Sequence, residues 1–179
     1  MPSGGERTLV LIRHAKAEPM GAHAGDHGRP LALRGRTQAR QLGQDLGARD
    51  CFPQAVLCSD ALRTRQTWDL VGSGLKDQGA DLAAVEVQVL ADLYDAAPTR
   101  LLALLDRVDP AATTVFVVGH EPTISMTAGF LADGDSDDGA LAQVKVGVPT
   151  ATACVLTSTA QWGQWTAGSA TLQSVSRVS

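Results

Sequence analysis

Short apolar runs alternate along the chain with longer stretches in which apolar residues recur every three or four positions. Thr8-Leu9-Val10-Leu11-Ile12 is a nearly continuous apolar run, predicting a strand buried on both faces, and it stops at Arg13-His14. After a loop rich in Gly, His and Asp at 17–30, the stretch 34–48 sets Ala39, Leu42 and Leu46 on one helical stripe. Residues 54–58 predict a second buried strand, Ser59 an N-cap, and 61–71 the helix it would start, ended by Gly72-Ser73-Gly74. Residues 85–90 predict a third strand, and Pro98 opens a helix reaching Val108. Residues 113–118 form the most β-branched run and lead straight into Gly119-His120; from Pro122 a further helix extends to Leu131. Beyond a loop at 133–139, the stretches 143–148, 151–157 and 161–167 read as strands. The alternation predicts an α/β sandwich with a largely parallel sheet and a strand-rich tail. No repeat or linker is visible, so one domain over 1–179 is expected, with 1–7 a flexible lead-in.

Composition narrows the field. With 179 residues, 44% hydrophobic and 19% charged, the chain has the makeup of an ordinary globular protein able to bury a core without disulfides or metal. Its three cysteines lack CxxC spacing, which argues against a disulfide framework or zinc ribbon and predicts free thiols in a reducing, cytoplasmic setting. No apolar run of membrane-spanning length occurs, and the polar start does not have the form of a signal peptide. The net charge of −4 is uneven, +4 over residues 1–66 and −8 over the remainder. An acidic chain with dispersed aromatics disfavours nucleic acid as a partner, while a basic first third leaves room for a site binding a small anion.

The unusual side chains collect where strands end. The first run ends Arg13-His14-Ala15-Lys16, the second ends at Ser59 with Arg63 one helical turn on, and the fourth ends Gly119-His120-Glu121. In an open α/β sheet, ligands bind beyond the carboxyl ends of strands. Were these strands parallel neighbours, two histidines and two arginines would share a cleft. Paired guanidinium forks match phosphate oxygens. A neutral imidazole beside them can attack phosphorus and form a phosphohistidine, and nearby arginine charge keeps it neutral. A second histidine can donate to the oxygens on which transition-state charge collects.

These blocks resemble the histidine phosphatase superfamily, the phosphoglycerate-mutase-like fold. Leu11-Ile12-Arg13-His14-Ala15-Lys16 is similar to its Arg-His-Gly/Ala signature. Ser59-Asp60-Ala61-Leu62-Arg63-Thr64-Arg65-Gln66-Thr67 is similar to its Ser-x-x-x-Arg-x-x-x-Thr block, and Val117-Val118-Gly119-His120-Glu121-Pro122 to its second-histidine block. Asp26-His27-Gly28-Arg29-Pro30-Leu31 with Arg34-Gly35 resembles the SixA-type phosphohistidine phosphatases in particular. The resemblance implies a three-layer α/β/α sandwich and no cofactor or metal. It also implies His14 as nucleophile, with Arg13, Arg63 and His120 binding the phosphoryl group.

Further expectations attach to single residues. Ser59, Lys16 and Arg29 are candidate substrate contacts, while Arg34, Arg36, Arg40 and Arg65 read as solvated helix faces. Larger family members carry a general-acid Glu on an insertion; the comparable stretch here is short, with Asp92 and Asp95 as candidates. The deficit is tolerable for a phosphoramidate, so the expected substrate is phosphohistidine on a partner protein. The alternatives are a small phosphomonoester at the same site or a phosphate-binding regulatory module without turnover. A metal-dependent hydrolase built on His23, Asp26 and His27 is a competing reading, disfavoured by the loop's glycines.

Overall fold

A computed structural model describes residues 4–21 and 25–179; Met1–Ser3 and His23 of the metal reading lie outside the described residues. Six strands form one sheet in the order β3-β2-β4-β1-β5-β6. β1 (Arg7–Arg13), β2 (Ala55–Ser59), β3 (Glu86–Leu90) and β4 (Thr114–Gly119) run parallel; β5 (Thr152–Ser158) and β6 (Thr171–Arg177) add an antiparallel edge. Alternate side chains of the central strands enter two cores. Leu9, Leu11, Leu57, Val115 and Val117 pack beneath α3 (Pro98–Leu105), α4 (Thr123–Leu131) and α5 (Asp138–Val146). Val10, Ile12, Val56, Phe116 and Val118 pack beneath α1 (Leu33–Gly47) and α2 (Leu62–Asp77). Helices on both faces explain why these strands read as unbroken apolar runs, and they make the three layers of an α/β/α sandwich.

Several local expectations are corrected. Gly72-Ser73-Gly74 does not end α2 but lies inside it. α1 and α2 cross so closely that a Cβ at Gly74 would collide with the Arg40 carbonyl oxygen, and one at Gly43 with that of Val71. Both glycines therefore serve helix packing. Residues 143–148 are not a strand: Asp137 caps α5 by accepting from the Ala140 N–H at 2.8 Å, and the helix runs through Val146. The alternating valines misled, since Val144 is buried and Val146 is 90% exposed. Residues 162–164 form a 3-10 turn in place of a strand, with Trp162 and Trp165 both packed in the core. The last strand lies later, at Thr171–Arg177. Arg7, expected in a flexible lead-in, begins β1 and is buried. Among the described residues, no helix is long and apolar enough to cross a membrane.

Candidate active site

The sheet order makes β2, β4 and β1 consecutive, so the strand ends Ser59, Gly119 and Arg13 sit side by side, roughly 5 Å from strand to strand. Arg13 lies directly opposite Gly119 in register. The chain then carries His14 off β1, with its N–H bonded to the Gly119 carbonyl at 3.0 Å, while His120 leaves β4 beside it. The two imidazole rings lie 5.4 Å apart between centroids.

Hydrogen bonding fixes the tautomer of each ring. His14 Nδ1 lies 2.8 Å from the Ala15 carbonyl, which can only accept, so Nδ1 carries the proton and the Nε2 lone pair is free. His120 Nδ1 lies 3.3 Å from Arg63 Nη2, which can only donate. The His120 proton is therefore on Nε2 and goes to Ser59 Oγ at 2.7 Å. Burial lowers the His14 pKa to about 4, assisted by the charges of Arg63, Arg13 and Arg29. Burial together with His14 and Arg63 lowers that of His120 to about 3. Both rings are neutral at pH 7.

Ser59 at the end of β2, and Arg63 and Thr67 one turn apart in α2, supply three supports. Ser59 is completely buried, backing His120; it is not the N-cap of α2, a position taken by Ala61. Arg63 donates from Nη1 to the Asp26 carbonyl and from Nη2 to Asp26 Oδ2, at 2.7 and 2.9 Å. Thr67 Oγ1 accepts from the Ala15 N–H at 3.0 Å and donates to the Arg63 carbonyl at 2.7 Å, tying the His14 turn to α2. Arg13 donates to the Val148 carbonyl at 2.7 Å. The buried Nε of Arg13 and that of Arg63 have no partner.

The structure thus brings Arg13, His14, Arg63 and His120 together, with Ser59 behind them. The proton that the resemblance aims at a phosphoryl oxygen from His120 is directed at Ser59 in this arrangement. Arg29 bonds Asp26 and the Glu18 carbonyl, near enough for its charge to bear on His14. Lys16 is exposed and lines an adjoining hollow. Asp92 is exposed and ion-paired with Arg100, and Asp95 is exposed; neither has a hydrogen bond into the cluster among the described residues. Glu121 accepts from the Ser125 N–H at 2.9 Å and from the Val148 N–H at 3.3 Å, steadying the start of α4 and the Val148 that Arg13 bonds.

Two participants escaped the sequence reading. Asp26 figures in the sequence as part of the SixA-like segment and as a possible metal ligand, with no role at the strand ends. It accepts hydrogen bonds from Tyr94, Arg29 and Arg63, which hold its carboxyl well below the usual carboxylate range. Tyr94 packs against His27 and edge-on against His120, with ring centroids 4.3 and 5.2 Å away. It is the only tyrosine in the chain, and this rarity was the one available signal. Of the competing metal reading's candidates, the two among the described residues have other partners: Asp26 bonds Arg29 and Arg63, and His27 Nε2 bonds Asp60 at 2.7 Å.

A family model of the histidine phosphatase superfamily (branch 1) matches residues 9–96. A solved structure of a proposed phosphohistidine phosphatase SixA, from Nakamurella multipartitia, is 34% identical, covering 98% of each chain with a TM-score of 0.80. The chain belongs to the histidine phosphatase superfamily. An uncharacterized Mycobacterium tuberculosis protein is 39% identical over 163 residues, 90% of this chain and 96% of that one. A phosphoglycerate mutase from Bacillus anthracis, 17% identical, shares the fold with a TM-score of 0.66 over 96% of this histidine phosphatase and 93% of its own chain. The expected phosphoglycerate-mutase-like architecture is thereby met.

Proposed function

We propose that this histidine phosphatase hydrolyses phosphohistidine on a partner protein, in the cytoplasm, through a covalent intermediate on His14. One observation carries the reading: His14 is a neutral imidazole whose proton is pinned on Nδ1 by the Ala15 carbonyl, with its free Nε2 in a site surrounded by arginines. The unpartnered Nε donors of Arg13 and Arg63 suit the phosphoryl oxygens that would bring phosphorus to Nε2.

In the first step, Nε2 attacks phosphorus and the substrate P–N bond breaks, its electron pair remaining on the leaving imidazole. A phosphohistidine protonated on its other ring nitrogen departs as neutral imidazole and requires no enzymic acid. The resulting phospho-His14 keeps its Nδ1 proton against Ala15, so the ring is itself a good leaving group. In the second step water attacks phosphorus, phosphate departs with loss of one proton, and the Nε2 lone pair is restored. Arg63, oriented by His120 and Asp26, would hold the charge that builds on the oxygens.

Two observations favour a phosphoramidate over an alkyl phosphate. Asp26, the carboxylate bonded into the cluster, is held ionised, and Asp92 is committed to Arg100. An alkoxide leaving group without a general acid would react about 10²–10⁴ times more slowly. The SixA assignment of the 34% identical structure points the same way.

The test is to mix the protein with labelled phosphohistidine peptide, quench it and map the label. An acid-labile, base-stable label on His14, absent from His14→Ala, is expected. A label on Ser59, or faster turnover of sugar phosphates than of the peptide, overturns the reading.

A further inference from the structure

A second hollow, of about 390 Å³, opens two residues beyond His14. Lys16, Arg34, Gln38, Thr150, Arg177 and Ser179 are among the residues that line it. Chain geometry keeps it close to the nucleophile. Two residues span at most about 7 Å from His14 to Lys16. Ala151, next to Thr150, donates its N–H to the His14 carbonyl at 3.1 Å. Arg177 stands opposite Thr152, and Thr152 opposite Arg13, so the two arginines occupy one row across the sheet, their backbones roughly 10 Å apart.

α1 reaches the hollow because Gly35 has no side chain. A Cβ there would collide with the Lys16 carbonyl oxygen, which accepts from the Ala32 N–H at 2.9 Å as the helix begins. Arg34, in the first turn, is thereby placed beside Lys16.

Three cations share one hollow with the carboxylate end of Ser179, and no ion pair among the described residues engages Lys16, Arg34 or Arg177. Two independent features add to the demand for an anion. The first turn of α1 has no acidic residue, and Ala32 gives its N–H groups no side-chain cap. Gln38 is only 7% exposed, and its buried Oε1 has no partner. A half-turn of that amide presents Nε2 as a donor instead.

We propose that this hollow is a second oxyanion subsite, holding a carboxylate or phosphate of the same substrate whose phosphoryl group lies at His14. The proposal rests on the phosphatase reading and deepens it: the substrate carries two anionic groups, with a spacing on the order of the roughly 7–10 Å backbone separations that link His14 and Arg13 to the hollow. In an extended peptide that distance places an acidic residue two or three positions from the phosphohistidine. In a small molecule it requires a second phosphate at the far end.

The experiment compares kcat/KM within two substrate pairs. One is a phosphohistidine peptide with Glu two or three positions away against the same peptide with Gln. The other is hexane-1,6-diyl bisphosphate against hexyl phosphate. A preference of about tenfold for the doubly anionic member is expected, and its loss in the surface variant R34Q/R177Q. Preference within the peptide pair assigns a carboxylate; preference within the phosphate pair alone assigns a second phosphate. No preference in either pair, or one that survives R34Q/R177Q, overturns the subsite. Calorimetric titration with the unphosphorylated Glu and Gln peptides and with both phosphates reads binding without turnover. If no substrate is hydrolysed but the doubly anionic ligands still bind more tightly, and only when Arg34 and Arg177 are present, the phosphatase reading fails and the subsite stands.

Discussion

Asp26 Oδ2 lies 2.9 Å from Arg63 Nη2, so the more deeply buried of the two arginines at the candidate site is already paired with an anion. A phosphoryl group bound there as proposed would share that guanidinium with a charge of its own sign.

Replacing Asp26 by Asn tests this sharing. The neutral side chain leaves the buried Arg63 poorly compensated, at a cost of about 1–3 kcal/mol in phosphate-free buffer. Phosphate bound at the proposed site of the folded protein would then restore more stability to Asp26→Asn than it adds to the wild type. Thermal melts with and without inorganic phosphate provide the measurement. An equal increment in the two proteins would mean that carboxylate and phosphate do not compete.

Ser59 is linked to the proposed chemistry through its hydrogen bond to His120, which makes it a candidate positioning residue. Ser59→Ala removes the acceptor of the His120 Nε2 proton, releasing a ring that helps hold Arg63. The expected loss in kcat is about 10- to 100-fold, the scale of a small misplacement of a reacting group. The protected Nε2–H resonance of His120 should vanish from the proton NMR spectrum of the variant. If that resonance persists, the loss of rate has another origin.

The two histidines also set a pH dependence. With the His14 pKa lowered to about 4, its lone pair stays available well below the 6.5 of a free imidazole, so kcat/KM should hold through pH 6 and fall only towards pH 4. Stability follows a different window. Below pH 6.5 the unfolded chain takes up protons at both positions while the folded protein refuses them until about 4 and about 3. Stability contributed by the neutral rings is therefore complete above pH 6.5 and is lost as pH falls from there. Urea midpoints measured from pH 7 to 4.5 should decline, and decline less in His14→Asn.

Two glycines in one helix should respond in opposite directions. A Cβ at Gly74 collides with the Arg40 backbone, whereas at Gly72 the nearest atom is Leu82 Cδ1 at 3.5 Å, an ordinary contact. Gly74→Ala should cost about 1–3 kcal/mol through overpacking. Gly72→Ala should gain about 0.5–1 kcal/mol by restricting the unfolded chain within a helix interior. Denaturant unfolding of the two variants checks both signs.

The sequence by itself determined the central strands and the side chains at their ends. Burial on both faces leaves an unmistakable apolar run, and the run stops where Arg13, Ser59 and Gly119-His120 begin. It failed where a local pattern had two meanings. Val144 and Val146 alternate as strand residues would, yet the Asp137 cap makes them helical. β6 was hidden because a register shift between Val155 and Leu156 breaks its pairing, and an edge strand has less apolar surface to reveal it. Only the tertiary structure decided which proton each imidazole carries: the Ala15 carbonyl is next in the chain but meets Nδ1 within a turn that Thr67 ties to α2, and the Arg63 guanidinium comes from 57 positions away. The recruitment of Asp26 and Tyr94, 68 positions apart, belongs to the same class. Strand character is a property of consecutive residues and is written locally, whereas hydrogen-bond direction and shared charge arise only when distant segments meet.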